Sequence, residues 1–596
     1  MKSLLKANIL VLVALLIMQC DDSLLNVEPK TEIGRENFFN SSEDLQMYVN
    51  SMIDWPNVMD LNHEQSDDAT TSGSSELRNV MVFDLTAQDF SEGWSWSKLR
   101  NINYFLENFE KADVPQETLD HFEGVARFHR AHFYMDKVQR FGNVPWYDKV
   151  LGTDDQDLYK AVDSREFVVD KIFEDLTFAA EHVRETASTG NVKNDVVRTY
   201  MARFALFEGT FRKYHTYLNL AGTADTYLQI ARDQAKHIMD TGRYDIFNSG
   251  SAAAYGALFT STDLQGNPEV ILLNRSISGN RNSGWSGAGF GQYEQSHTKA
   301  IVQTYLMNDG SFYSAQPGYE TLSFVEEFTN RDPRLSQSFA YPGWIINNSG
   351  TYAQGENGTE YIQEFNRNFT GYHTIKWFVN SAEATTQESL DVPVLRYAEV
   401  LLIYAEAMAE LGSINQGVLD ATVNKLRDRV GMPHLTMGTA ADPMLQARYP
   451  NVVNAVLLEI RRERRIELFN EDHRYEDVLR YGAGQLFETL PKGPYFSGLG
   501  NHDVTGDGIP DIKLIGETET IPSSDNREVN ALGKQLIYYR AGPYGSTASV
   551  FLENGTSEAV LARDSNGTFE APKDYYRPIP FTEIQLNPNL TQSFGW

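Results

Sequence analysis

The stretch "LRYAEVLLIYAEAMAELG" (Leu395–Gly412) places Ala398, Leu401, Ala405 and Met408 at helical spacing, so the segment reads as a helix with one apolar face. Its alanines let a neighbouring helix approach closely. Downstream, "VVNAVLLEIRRERRIELFNEDHRYEDVLRYG" (Val452–Gly482) begins with a stripe of Val453, Val456, Leu457 and Ile460. At the same spacing the stripe continues onto Arg464. A guanidinium drawn into a helix interface must pair with a carboxylate there, so this charged run reads as structural pairing rather than catalysis.

Working outward, a longer block of 3.6-residue periodicity runs from about Ser42 to Gly242, including "WSKLRNINYFLENFEKA" (Trp96–Ala112) and "VVRTYMARFALFEGTFRKYH" (Val196–His215). Ser164 is placed to cap one helix and Gly242 to end another. Helices with small residues at their contacts predict a mainly α fold of stacked helical hairpins, as in a TPR-like solenoid. Residues 243–392 and 483–596 differ: Gly, Asn, Ser and aromatics interrupt every apolar run, which predicts long irregular loops and short strands on the helical scaffold. No linker separates these parts. The expected organisation is a signal over residues 1–19 and one domain over 20–596, divided into helical parts 20–242 and 393–482 and loop-rich parts 243–392 and 483–596.

The single cysteine, Cys20, follows ten apolar residues (Ile9–Met18), Gln19, and an n-region with Lys2 and Lys6, and it precedes Asp21 and Asp22. This is the layout of a bacterial lipoprotein signal, cut before a cysteine that then takes acyl chains. With no second cysteine, no disulfide holds the exported fold. Removing residues 1–19 deletes two lysines and no acid, so the formal charge of −30 becomes −32. Such a surface repels nucleic acid.

The segments "LLNVEPKTEI" (Leu24–Ile33), "ARFHRAHFYMDKVQRFGNVPW" (Ala126–Trp146), "TYLMNDGS" (Thr304–Ser311), "RDPRL" (Arg331–Leu335), "VNKLRDRVGMP" (Val423–Pro433), "RRERRIELFNEDHRYEDVLRY" (Arg461–Tyr481) and "YYRPIPFTEIQLNPNLTQSFGW" (Tyr575–Trp596), with the two helices above, resemble the SusD/RagB family in the same order. The resemblance implies a SusD-like fold of four TPR-like helix pairs carrying an irregular binding face. It further implies a lipid anchor at the cell surface on the outer membrane, and a SusC-like TonB-dependent transporter as partner. The cargo it implies is oligosaccharide, or peptide in some members.

Sugar rings stack on aromatic faces while their hydroxyls need short polar partners. Trp285, Phe290 and Tyr293 lie in the polar "SGNRNSGWSGAGFGQYEQSH" (Ser278–His297), with Tyr341, Trp344, Tyr372 and Trp377 in similar settings. The region that carries ligand aromatics in the family corresponds to Trp94 or Trp96. Ligand contact is expected at Trp285, Tyr293, Trp344 and Trp96, with Asp67 and Asp68 as hydroxyl acceptors. "DVTGDGIPD" (Asp503–Asp511) spaces Asp503, Thr505, Asp507 and Asp511 with the Ile509 carbonyl as in calcium loops, so a structural Ca²⁺ is expected there. No other cofactor is called for. His129, His132 and Asp136 share a helix without a further ligand in sight, and no nucleophile-elbow, zincin or P-loop motif is present. The reading is a non-enzymatic glycan-binding lipoprotein, with peptide binding or, more remotely, glycoside hydrolysis as alternatives.

Overall fold

The computed structural model describes residues 39–61, 66–71, 73–251, 253–277, 296–347, 358–381 and 390–596. Most of the order is helical. The N-terminal part runs α1 (Ser42–Asn50), α2 (Glu76–Val82), α3 (Ser97–Leu106), α4 (Gln116–Phe141), α5 (Arg165–His182), α6 (Asn194–Tyr214) and α7 (Ala224–Thr241). The later helices are α8 (Pro333–Ser338), α9 (Tyr397–Glu410), α10 (Val423–Val430), α11 (Ala455–Glu467), α12 (Arg474–Arg480) and α13 (Phe581–Leu586). Ser164 accepts from the Phe167 N–H at the start of α5, and Gly242 closes α7 in the left-handed region at φ 62°.

Consecutive helices pair, α4 with α5 and α6 with α7, and α9 packs onto both α7 and α11. The close approach of α6 and α7 depends on Gly209, where a Cβ would sit 2.8 Å from Leu228 Cγ. Buried Ala202, Ala205, Ala231 and Ala235 keep the rest of that interface thin. One apolar core joins these helices to the C-terminal Tyr575, Tyr576 and Ile579.

Helix α9 is buried around nearly its whole circumference, not on one face only. Its acids are neutralised from three sides: Glu399 by Arg203 at 2.6 Å, Glu406 by Arg480 at 2.6 Å and Glu410 by Arg461 at 3.0 Å. The α11 stripe also needs correction, because Val453 precedes the Asn454 cap and stands 92% exposed, while Val456, Leu457 and Ile460 enter the core.

Helix α11 carries its charges into the interior, and each finds a partner. Arg464 pairs with Asp477 at 2.9 Å, as its stripe position requires. Glu463 takes Arg334 at 2.6 Å and Arg427 at 2.9 Å; Glu467 takes Arg396 at 2.7 Å and Arg429 at 2.6 Å. Since Arg334 belongs to α8, this ladder ties the loop-rich middle to the helical scaffold. Arg334 and Arg429 are each satisfied by two or more carboxylates, the condition under which burial of such charge is tolerated.

The strands are short and, besides the small Ile345–Ile346 and Thr359–Glu360 pair, comprise β1 (Ala69–Thr70), β2 (Val270–Asn274), β3 (Ser296–His297), β4 (Val392–Arg396), β5 (Lys492–Phe496), β6 (Gly500–His502), β7 (Ile512–Gly516), β8 (Ile537–Gly542), β9 (Val550–Phe551) and β10 (Glu558–Leu561). Antiparallel pairs join β1 to β3, β2 to β4 and β5 to β10. A four-stranded sheet in the order β9-β8-β7-β6 is parallel except at the β6–β7 edge. Its inward residues Ile512, Leu514 and Tyr539 build a second core with Phe339, Tyr372 and Phe469.

Candidate ligand-binding site

Trp96 occupies the N-cap of α3 without a capping side-chain bond, so its ring is free to pack sideways. It meets Trp94 edge-on at 5.4 Å and Tyr147 edge-on at 5.5 Å. Trp94 is the buried member, its ring edge-on to Phe141 at 4.9 Å. Trp96 stays half-buried and, with Tyr147, Tyr159, Leu99, Leu158 and Leu586, lines an open cavity of about 500 Å³. At its floor Asn103 donates to the carbonyls of Tyr147 (3.0 Å) and Lys149 (3.2 Å), leaving its buried Oδ1 without a partner. Lys149 at the rim is held by Asp157 at 2.6 Å. A wall of rings suits a flat, mostly apolar face.

A second cavity of about 460 Å³ is polar, with Asp54, Lys98, His132, Asp136, Arg203 and Glu476 in its wall. Glu399 grips Arg203 through two bonds of 2.6 and 2.7 Å. Burial opposes the charge on Arg203, but Glu399 outweighs it and leaves the guanidinium more firmly protonated than usual. Burial pushes His132 down to about 4, so the imidazole is neutral at pH 7. Among the described residues no three His, Cys, Asp or Glu side chains converge on a point that could hold a metal ion.

Of the described residues expected at a ligand, only Trp96 lines one of these two cavities. Trp285, Phe290 and Tyr293 lie outside the described residues. Trp344 is committed to the interior, 7% exposed and edge-on to Tyr361 and Phe378, because the Tyr341–Trp344 turn folds its ring inward. Tyr372 and Trp377 are buried as well: the Tyr372 hydroxyl donates to Glu327, and the Trp377 indole donates to the Asn470 carbonyl at 2.9 Å. Tyr341 alone of that group keeps an exposed edge.

Asp67 and Asp68 are buried ion-pair partners rather than free acceptors. Arg474 holds Asp67 at 2.7 and 2.8 Å, and Arg465 reaches Asp67 at 3.0 Å and Asp68 at 2.9 Å. Burial pushes the Asp67 carboxyl up, yet Arg465 and Arg474 overcome it and hold the group below the usual range. For Asp68 burial wins over Arg465, and its carboxyl is raised. The backbone beside them receives Thr298: its N–H donates to Asp68 O (2.9 Å) and its hydroxyl to Asp67 O (2.8 Å). These contacts lock β1 to β3.

In the Asp503–Asp511 loop the carboxylates close the turn on themselves. Asp503 accepts from the N–H groups of Gly506 (2.6 Å) and Gly508 (2.8 Å), Asp507 from Ile509 (2.8 Å), and Asp511 from Val504 (2.9 Å) and Thr505 (3.0 Å).

Tyr147, Tyr159 and Leu586 had no signal in the local pattern. The cavity joins α3 to the segment after α4 and to C-terminal α13, and only the tertiary fold brings those together.

A sequence profile described as the SusD family matches residues 261–596, and a second, described as "Starch-binding associating with outer membrane", matches residues 28–282. SusD-like protein P38 of Formosa agariphila is 24% identical over 513 residues, covering 79% of this chain and 90% of that protein. The crystal structure of a SusD-like protein from Bacteroides fragilis superposes with a TM-score of 0.68 at 21% identity, covering 96% of this chain and 100% of that one. A SusD-like carbohydrate binding protein from the same organism gives 0.67 at 21% identity over 93% and 100%. The stacked helical pairs and loop-rich face are therefore the SusD-like fold, and the chain belongs to the SusD family.

Proposed function

We propose that this protein is a surface-exposed lipoprotein, anchored to the outer membrane through Cys20, that captures oligosaccharide and delivers it to a SusC-like TonB-dependent transporter without catalysing a reaction itself. The observation that carries the reading is the ring-lined cavity around Trp96, whose rings Trp94, Trp96, Tyr147 and Tyr159 belong to the span matched by the starch-binding, outer-membrane profile. Its wall is shaped for stacking, and Asn103, Lys149 and Asn587 spend their donors on backbone carbonyls or on a neighbouring carboxylate. No helix among the described residues is long and apolar enough to cross a membrane, in keeping with attachment by lipid.

The test is calorimetry and affinity electrophoresis of the soluble form beginning at Asp21 against a panel of polysaccharides and peptides. Trp96→Ala is expected to weaken a glycan by about tenfold, the equivalent of about 1.4 kcal/mol for one lost ring face. Trp344→Ala, a core truncation, is expected to cost roughly 3–5 kcal/mol of stability while the folded fraction binds as before. A peptide ligand in place of a glycan would transfer the reading to peptide import. Undiminished glycan binding by Trp96→Ala would remove this cavity from it.

A further inference from the structure

Beside β1 lies a second kind of cavity, about 30 Å³, walled by Thr70, Thr71, Ser75, Arg78, Arg563 and Asn566. None of the described residues that line it is acidic. That is unusual in a chain with 81 acids against 51 bases, where buried arginines such as Arg165, Arg334, Arg396 and Arg480 each grip a carboxylate. Arg563 is 4% exposed and forms no ion pair among the described residues. Among the described residues its Nη2 donates to the carbonyls of Thr71 and Gly73, and its buried Nη1 finds no partner. Arg78 also lacks an ion pair among the described residues, and its Nε is buried without a partner. Two guanidinium groups without a counter-ion among the described residues are costly to keep in a wall of protein.

The backbone holds this arrangement in place. Gly567 has φ +80°, and a Cβ there would fall 2.1 Å from the Met81 carbonyl oxygen, so only glycine permits the contact. The neighbouring Thr568 N–H donates to the same oxygen at 3.0 Å. Asn566 is fixed by donating to the carbonyls of Phe487 (3.2 Å) and Thr489 (2.8 Å). The segment that follows β10 is thereby pinned to the end of α2, so Arg563 and Asn566 face the same space as Arg78.

We propose that this cavity is an oxyanion pocket that takes the carboxylate or sulfate-ester substituent of an anionic glycan. The inference rests on the glycan-binding reading above and names the class of glycan. A cavity of about 10–15 Å³ already holds one water, so this one admits a group of a few atoms and leaves the sugar ring outside. Planar guanidinium donors match the paired oxygens of a carboxylate or sulfate, and the hydroxyls of Thr70 and Thr71 complete the wall.

The experiment uses the soluble chain from Asp21 and matched ligand pairs: alginate against its carboxyl-reduced form, and a sulfated galactan against its desulfated form, by calorimetry. A preference of about tenfold or more for one charged member is expected. The pair that shows it distinguishes carboxylate from sulfate ester. Arg78→Gln and Arg563→Gln are expected to abolish the preference and leave neutral-glycan binding unchanged. Circular dichroism confirms that each variant is folded, and Arg78, only half-buried, supplies the test should Arg563→Gln misfold. Equal binding of charged and neutral partners, or a preference that survives in a folded Arg78→Gln protein, overturns the inference alone. Failure to bind any polysaccharide overturns the glycan reading and this inference with it.

Discussion

Replacing Arg465 by Met isolates the contact that joins the N-terminal segment to the second helical block. The substitution keeps an apolar stem of similar length and removes a guanidinium that donates to Asp67 at 3.0 Å, Asp68 at 2.9 Å and the Thr304 hydroxyl at 3.1 Å. Both carboxylates are buried. Arg474 still holds Asp67 through two bonds, but Asp68 loses the guanidinium it pairs with directly and keeps only the more distant attraction of Arg474, so the change strands one buried charge rather than two. Breaking a buried pair from one side costs about 3–5 kcal/mol, far above the roughly 0–1 kcal/mol of an exposed pair such as Lys236–Asp240. Urea unfolding followed by tryptophan fluorescence and by circular dichroism measures the loss, the two probes checking that one transition is being read. The pH dependence supplies a second signature. The stranded Asp68 binds a proton more readily in the variant, and protonation removes the buried charge. Asp67 in the wild type, held below its ordinary value, keeps its contribution through the same range and loses it only as pH falls through that lowered value. The gap between variant and wild type should therefore narrow as the pH is lowered. A cost below about 1 kcal/mol, or a gap independent of pH, refutes the assignment of Arg465 as the clamp on β1.

Acid should weaken the whole protein over a defined window. Burial lowers His121, His132, His215, His297 and His473 to about 4 and His373 to about 3. Below 6.5 the unfolded chain binds protons that the folded chain refuses, so their stabilisation is complete above 6.5 and drains away as pH falls towards 4. Glu399, which Arg203 draws down to about 2 against the opposing effect of burial, contributes to acid loss only below about 4.5. A urea midpoint that stays level from pH 7 to pH 4.5 would contradict this. Calcium at the Asp503–Asp511 loop is a separate proposal, tested by melting with chelator and with excess Ca²⁺. A rise with saturating Ca²⁺, worth about 2.7 kcal/mol at a hundredfold excess over Kd, is the result that establishes the ion, and an unchanged midpoint removes it.

Helical periodicity, small residues at helix contacts and the order of the long motifs were sufficient by themselves to determine a mainly α chain of stacked pairs with loop-rich insertions. These are local properties: a period of 3.6, a cap such as Ser164, a stop such as Gly242. The same locality explains the pairing of Arg464, whose place on a helix stripe left it no solvent to enter. Only the tertiary structure decided the rest. Asp67 and Asp68 look like solvent-facing acids in a polar run, and only the arrival of Arg465 and Arg474 from the far end of the chain makes them interior. Trp344 sits in a turn-like context, yet its ring falls inward onto Tyr361 and Phe378. Trp96 becomes a cavity wall through Tyr147 and Leu586, and Arg563, without an ion pair among the described residues, is carried to the side of α2 by a segment that Gly567 pins there. Burial of a charge or a ring depends on which distant surface covers it. Side-chain period and turn chemistry report on neighbours a few residues away, and carry no record of that surface.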